Sequence, residues 1–161
     1  MNYIIQKDIL VLGVGNILLK DEGVGVHVVH KMQEISKLPQ RVDLVEGGRH
    51  GVSLLWLVCK MKRLILVDAV DAVDADSEPG TIFKFTPQDI DQEFRRIHFS
   101  LDEIGPLEVL DMAKLCGMCL DTVVFGVQPK EIDWGLEMTS EVASKVPRVI
   151  ELIMEEIGNY L

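Results

Sequence analysis

Positive charge is scarce in this chain. Its densest basic run, Lys60-Met-Lys62-Arg63, is short, and the formal net charge is −10 at pH 7. Nucleic acids and anionic membrane surfaces demand a basic face, so neither is expected as a partner. No apolar run approaches the about 20 residues of a membrane span. The opening Met1-Asn-Tyr-Ile-Ile-Gln-Lys-Asp8 carries acid and lacks a long apolar core, unlike a signal peptide. A cytoplasmic protein is expected. Cysteine is also rare: Cys59, Cys116 and Cys119 are an odd set of 3, which argues against a disulfide framework. Cys116-Gly-Met-Cys119 has metal or redox spacing, but no second pair completes a zinc site; the two read as small buried residues at a helix end. Linker-like Ser/Gly stretches, repeats and low-complexity runs are absent too. With 161 residues, 48% of them hydrophobic, the chain reads as one domain over 1–161 with a real core.

What is present alternates between two periods. Ile9 to Val14 is a continuous apolar run ending in glycines, as in a strand buried on both faces. A helical pattern follows from Val24 to Ile35 and closes at Pro39. Arg41 to Glu46 reads as a strand stopped by Gly47-Gly48, Val52 to Lys60 as a short helix, and Arg63 to Asp68 as an apolar strand. After the Pro79-Gly80 turn, Thr81 to Phe85 alternates like a half-exposed edge strand. Helical spacing returns from Pro106 to Cys116, and Thr122 to Val127 is a last strand. Thr139 or Ser140 is placed to cap a C-terminal helix reaching Ile157, which Pro147 should kink or break. Strands alternating with helices predict an α/β sheet, mainly parallel, covered on both faces. Ligands of such sheets sit beyond the C-terminal strand ends, here after Val14, Val45, Val67 and Val127.

The first of those ends is the most informative: Gly13-Val-Gly-Asn16-Ile-Leu-Leu-Lys-Asp21-Glu22-Gly-Val-Gly25. It opens like a dinucleotide loop, but the third glycine of that fingerprint is replaced by Leu18. No Gly-Lys-Ser/Thr follows, so it is not a phosphate loop either. Asp21 and Glu22 also stand where a helix N-terminus would otherwise attract phosphate, and would repel it. One of these carboxylates is expected to cap the helix and the other to point into the strand-end crevice, which suits a cation.

Asp68 ends an apolar strand, where a carboxylate is costly to bury without a partner. Asp71, Asp74 and Asp76 lie further into that loop and read as solvated. Gly47-Gly48 after Glu46 would let a backbone approach a ligand closely, with His50 nearby. His98-Phe-Ser100-Leu-Asp102-Glu103 brings an imidazole and carboxylates together before a helix. His27 and His30 have chelating spacing, but no glutamate completes a zinc-protease motif, so they read as surface residues of an amphipathic helix. A Gly-x-Ser-x-Gly elbow is missing, and Cys59 has no evident histidine partner.

Taken in order, the Gly13–Gly25 loop, Glu46-Gly-Gly48, Leu66-Val-Asp68-Ala69, Pro79-Gly80-Thr81 and Gly126-Val-Gln-Pro129 resemble the hydrogenase maturation endopeptidases over nearly the whole chain. The resemblance implies a three-layer α/β/α sandwich on a twisted five-stranded, mostly parallel sheet with one antiparallel edge strand. It implies a monomeric cytoplasmic peptidase that trims a C-terminal extension from the precursor of a [NiFe]-hydrogenase large subunit. Nickel held in that precursor would bridge to the enzyme and be sensed directly; the isolated protein could hold another divalent metal. The family's acidic ligand after the glycine turn falls on Glu22, leaving Asp21 as the cap, and its strand-end aspartate falls on Asp68. Both are thereby implied as metal ligands and catalytic carboxylates.

The third family ligand, a histidine two residues after a serine, falls on Asp102, with Ser100 as the serine. His98, four residues earlier, is the alternative ligand, and His50 a further substitute. Three carboxylates would make a harder site, less selective for nickel over magnesium or calcium. Gly47 and Gly48 would line the substrate crevice. A non-catalytic metal- or precursor-binding maturation factor of the same fold is the alternative reading, supported by the missing histidine.

Overall fold

In the computed structural model, strand β1 spans Ile9–Val14, and every one of its residues is buried. Its side chains alternate between two cores. Ile9 and Val11 join Val24, Val28, Val29 and Met32, whereas Leu10, Leu12 and Val14 join Val58, Leu64 and Leu66. This two-sided burial is what the unbroken apolar run predicts. The structure describes residues 7–35, 37–48, 51–72, 77–89, 97–98, 111, 113–115, 117 and 120–161, with the backbone alone at 48, 51–54 and 97–98.

After β1 the chain forms a 3-10 turn, Lys20–Gly23, and helix α1, Val24–Gln33. Strand β2 (Val42–Gly48), helix α2 (Gly51–Val58) and strand β3 (Arg63–Ala69) follow. Then come the short strand β4 (Asp71–Ala72), strand β5 (Ile82–Phe85), the short strand β6 (Ile97–His98) and strand β7 (Asp121–Val127). Helices α3 (Ser140–Ala143) and α4 (Val146–Tyr160) complete the order. The main sheet runs β2-β1-β3-β7-β5. Its first four strands are parallel, and β5 pairs antiparallel with β7 at the edge. Valines and isoleucines of α1, α3 and α4 cover one face, while α2 and Ala113 cover the other. The expected layered sandwich with an antiparallel edge strand is what forms.

Three local expectations change. β2 does not stop at Glu46 but runs on through Gly47 to Gly48: Gly13 pairs with Glu46 and Val14 with Gly48, leaving Gly47 as the extra residue of a bulge. Pro147 breaks rather than kinks the C-terminal helix. It sits in the first turn of α4, where its missing N–H has no helical acceptor to lose. Thr139 occupies the N-cap position of α3, yet its side chain makes no capping bond. The helix expected over Pro106 to Cys116 lies largely outside the described residues; 111 and 113–115 are helical. Among the described residues, no helix is long and apolar enough to cross a membrane.

Candidate active site

Because β1, β2, β3 and β7 are parallel, the loops at 15–23, after 69 and after 127 leave from one end of the sheet. Glycines set how closely the first loop and α1 lie on that end. A Cβ on Gly25 would stand 2.2 Å from the Val67 carbonyl oxygen, so helix backbone rests directly on strand backbone. Gly15 has φ +127, and a Cβ there would meet the Glu22 carbonyl oxygen at 1.9 Å. The glycines that resembled a nucleotide cradle therefore serve helix-on-sheet contact. Asn16 closes the turn between them by accepting the Leu18 N–H at 3.0 Å.

Asp21 and Glu22, carried by the 3-10 turn, are both buried. Asp21 is not the cap of α1: Gly23 holds that position, with no side-chain capping bond. Its carboxylate instead accepts the backbone N–H groups of Lys130 at 2.9 Å, Glu131 at 3.0 Å and Thr139 at 2.7 Å. The Thr139 hydroxyl donates to it as well, which is why that hydroxyl does not cap α3. Asp21 thus ties the loop after β7 to the loop after β1 with charge-assisted bonds.

Asp68, near the end of β3, is fully buried. One carboxyl oxygen accepts the Ala69 N–H at 2.8 Å. The other, Oδ2, is shielded from solvent and has no hydrogen-bond partner among the described residues. Burial pushes the Asp68 carboxyl up to about 8; the Ala69 N–H opposes this, and the negative charge of Glu22 adds to it. Glu22 and Asp68 therefore feel each other at the strand ends. A carboxyl with one orphaned oxygen, beside a second carboxyl group, suits a cation or a transferred proton.

The remaining candidates divide. Residues β4 and β6 pair antiparallel with Asp71 in register with His98. Because Asp71 follows Asp68 closely in sequence, the backbone brings His98 to the same end of the sheet. Asp71 is not simply solvated: Gln128 donates to its Oδ1 at 2.9 Å and accepts the Ala72 N–H at 3.1 Å. Gln128 thereby fastens the β4–β6 pair to the end of β7, a role that the Gly126-Val-Gln-Pro129 motif marked without revealing. Asp102, Ser100, His50, Asp74, Asp76, Cys116 and Cys119 lie outside the described residues. Among the described residues, no group of three or more His, Cys, Asp or Glu could hold a metal ion. Gly47 and Gly48 end β2 beside β1, at the same end of the sheet.

His30 is half-exposed and bonds Glu46 through Nε2 at 2.6 Å. His27 has a shielded Nε2 with no partner among the described residues, and burial, then His30, lowers its pKa. Both line a groove of about 660 Å³ between α1 and the α3–α4 pair. Neither Glu22 nor Asp68 lines that groove, so it is separate from the carboxyl pair.

Residues 26–156 match the family model for hydrogenase maturation proteases. The chain belongs to the hydrogenase maturation protease family. It is 36% identical over 156 residues to a putative hydrogenase maturation protease of Methanocaldococcus jannaschii, covering 94% of this chain and 97% of that one. It is 30% identical over 147 residues to the hydrogenase 2 maturation protease of Escherichia coli K12, covering 91% and 88% of the two chains. Among solved structures it is similar to the hydrogenase maturating endopeptidase HybD of E. coli. That likeness has a TM-score of 0.78 at 26% identity and covers 95% of this chain and 93% of the other. Family membership makes the buried carboxyl pair a candidate centre for peptide-bond hydrolysis.

Proposed function

We propose that this protein is an endopeptidase that removes a C-terminal extension from the nickel-loaded precursor of a [NiFe]-hydrogenase large subunit. In this reading nickel is part of the substrate and serves as its recognition element. The observation that carries the reading is the buried Oδ2 of Asp68, which has no hydrogen-bond partner among the described residues and lies near Glu22 at the strand ends of a protease fold. Glu22 and Asp68 would be ligands to the incoming metal, with His98 or Asp102 as the third. The donor set fits: burial leaves Asp68 short of one partner, and an arriving cation would supply it while displacing the carboxyl proton. The bound metal would contribute positive charge near the scissile carbonyl.

The chain's own residues supply the rest. Hydrolysis adds water across the C–N bond, so one group must take a proton from water while the departing amine receives one. Once the metal has displaced the Asp68 proton, a neighbouring carboxylate can take a proton from water and pass it to the departing amine. The bulge at Gly47 interrupts the β1–β2 ladder at the end of the sheet that carries Asp68. There a glycine N–H could donate to the carbonyl oxygen as it gains charge. Gly47 and Gly48 would also let the extended substrate lie close to the sheet. A protease that needs its substrate's nickel to complete its site should leave generic peptides uncut.

The test is trimming of purified nickel-loaded precursor, read as a mass shift of the large subunit. Glu22→Gln and Asp68→Asn should each abolish the shift while far-ultraviolet circular dichroism stays unchanged. Full trimming by either variant would refute the site assignment. No mass shift with the unaltered protein would refute the protease reading.

A further inference from the structure

The loop after β7 carries a surface that the carboxyl pair does not use. Trp134 is 74% exposed, Leu136 66% and Ile132 52%, and Ile17 and Leu18 of the first loop are exposed as well. These side chains share one frame. The Gly135 N–H donates to the Leu18 carbonyl at 2.9 Å, and the Lys20 N–H donates to the Gly135 carbonyl at 2.9 Å. The same two loops are bolted together by the buried Asp21 carboxylate, which holds Lys130, Glu131 and Thr139. Such tying restricts the backbone, so the apolar residues stand out from a fixed support instead of collapsing onto the core. Grouped aromatic and aliphatic side chains on a pre-organised surface are the usual anchors of a protein interface.

Charge selects the occupant. Asp133 and Glu137 flank Ile132, Trp134 and Leu136, and Lys20, whose side chain lies against Gly135, is already paired with Glu131, so the apolar patch keeps an acidic border. A second copy of this chain would bring the same acidic border and a net charge of −10 against it. The complementary partner is a protein surface with apolar side chains edged by lysine or arginine. We infer that the Ile17–Leu18 and Ile132–Leu136 patch docks the folded precursor beside its C-terminal extension. This rests on the endopeptidase reading above. Asp21 links the patch to Glu22, its neighbour in sequence, so a precursor seated there would present its extension to the carboxyl pair.

The experiment measures capture and cutting separately, using nickel-loaded large-subunit precursor as the probe. Both capture arms carry Glu22→Gln so that the precursor stays whole, and one adds Trp134→Ala with Leu136→Ser. The patch variant should bind at least tenfold more weakly, and Asp133→Lys with Glu137→Lys should weaken capture about tenfold as well. In a Trp56→Phe background, Trp134 emission should move to shorter wavelength when precursor is added. With Glu22 restored, the patch variant should lose kcat/KM mainly through KM. Thermal melts confirm folding, since the altered side chains point outward.

Equal affinity in the two capture arms would overturn the proposal while leaving the endopeptidase reading intact. Patch-dependent capture without trimming by the unaltered protein would uphold the patch and refute that reading. A dimer in sedimentation that the patch variant dissociates would assign the surface to a second copy and overturn the proposal.

Discussion

Replacing Asp68 by Asn should make this protein more stable and, in the same stroke, inactive. The folded carboxyl titrates at about 8 against an ordinary 3.8, mainly because it is buried. Between those two values the folded protein keeps a proton that the unfolded chain has released. Stability must therefore fall as pH rises through that window, by about 1.4 kcal/mol per pH unit at most. At pH 7 the accumulated cost has a ceiling of about 4 kcal/mol. Asn cannot ionise, and its side-chain carbonyl can still accept the Ala69 N–H, so the variant escapes the cost.

The assay is thermal unfolding of both proteins in excess EDTA at pH 5, 7 and 8.5. Chelation keeps metal binding from entering the comparison. The two melting temperatures should lie closest at pH 5 and separate as pH rises, with the variant higher. For a chain of this size about 2–4 °C accompany each kcal/mol, so the ceiling on the gap at pH 7 is about 8–16 °C. Carboxylates other than Glu22, which interacts with Asp68, contribute equally to both proteins and drop out of the difference. A variant that is less stable at every pH, or two curves that run parallel, would refute the account of Asp68 as an uncompensated buried acid.

Asp21 should behave in the opposite way. Asp21→Asn sets an amide against a cluster of N–H donors, costing about 2–4 kcal/mol in urea unfolding and exposing the amides of Lys130, Glu131 and Thr139 to faster exchange. Unchanged exchange there would show that the loop after β7 is held by other means. Gln128→Ala should cost about 1–2 kcal/mol and speed exchange of the Ala72 N–H, which now bonds the Gln128 side chain. If the β4–β6 pair presents the third ligand, trimming should fall with it; full activity with a fast-exchanging Ala72 would separate that strand pair from the chemistry.

Much of the architecture was legible because the core strands are monotonous. Ile9 to Val14 and Arg63 to Asp68 are nearly unbroken apolar runs, and such runs fit only strands covered on both sides. Asp68 was legible for the same reason, as an acid closing an apolar strand. What could not be read were partnerships between distant segments. Asp21 precedes a helix, and local rules make it a cap; its true partners, Lys130, Glu131 and Thr139, are far along the chain. Gly47-Gly48 looked like a strand end because the compensating register shift is a property of the pair with β1. Gln128 stands in the Gly126-Val-Gln-Pro129 motif, but its function depends on Asp71 and Ala72 lying across the loop.

The contrast among these acids also says why one sequence run could suggest a nucleotide cradle and contain none. A phosphate loop leaves its N–H groups unpaired for an anion that arrives later. Here the anion is built in: Asp21 takes up N–H groups from the neighbouring loop, and its charge is spent on structure. Among the described residues Asp68 receives one N–H bond and keeps an oxygen without a partner, so they leave its charge uncompensated. Burial alone does not separate the two, because both are fully enclosed. The number of donors does. An acid whose acceptor capacity is filled can only hold the fold together, whereas an acid left short in a dry crevice must keep a proton or take a cation. In the function proposed here, that shortage, more than the identity of the residue, is what would let Asp68 feel a positively charged substrate centre.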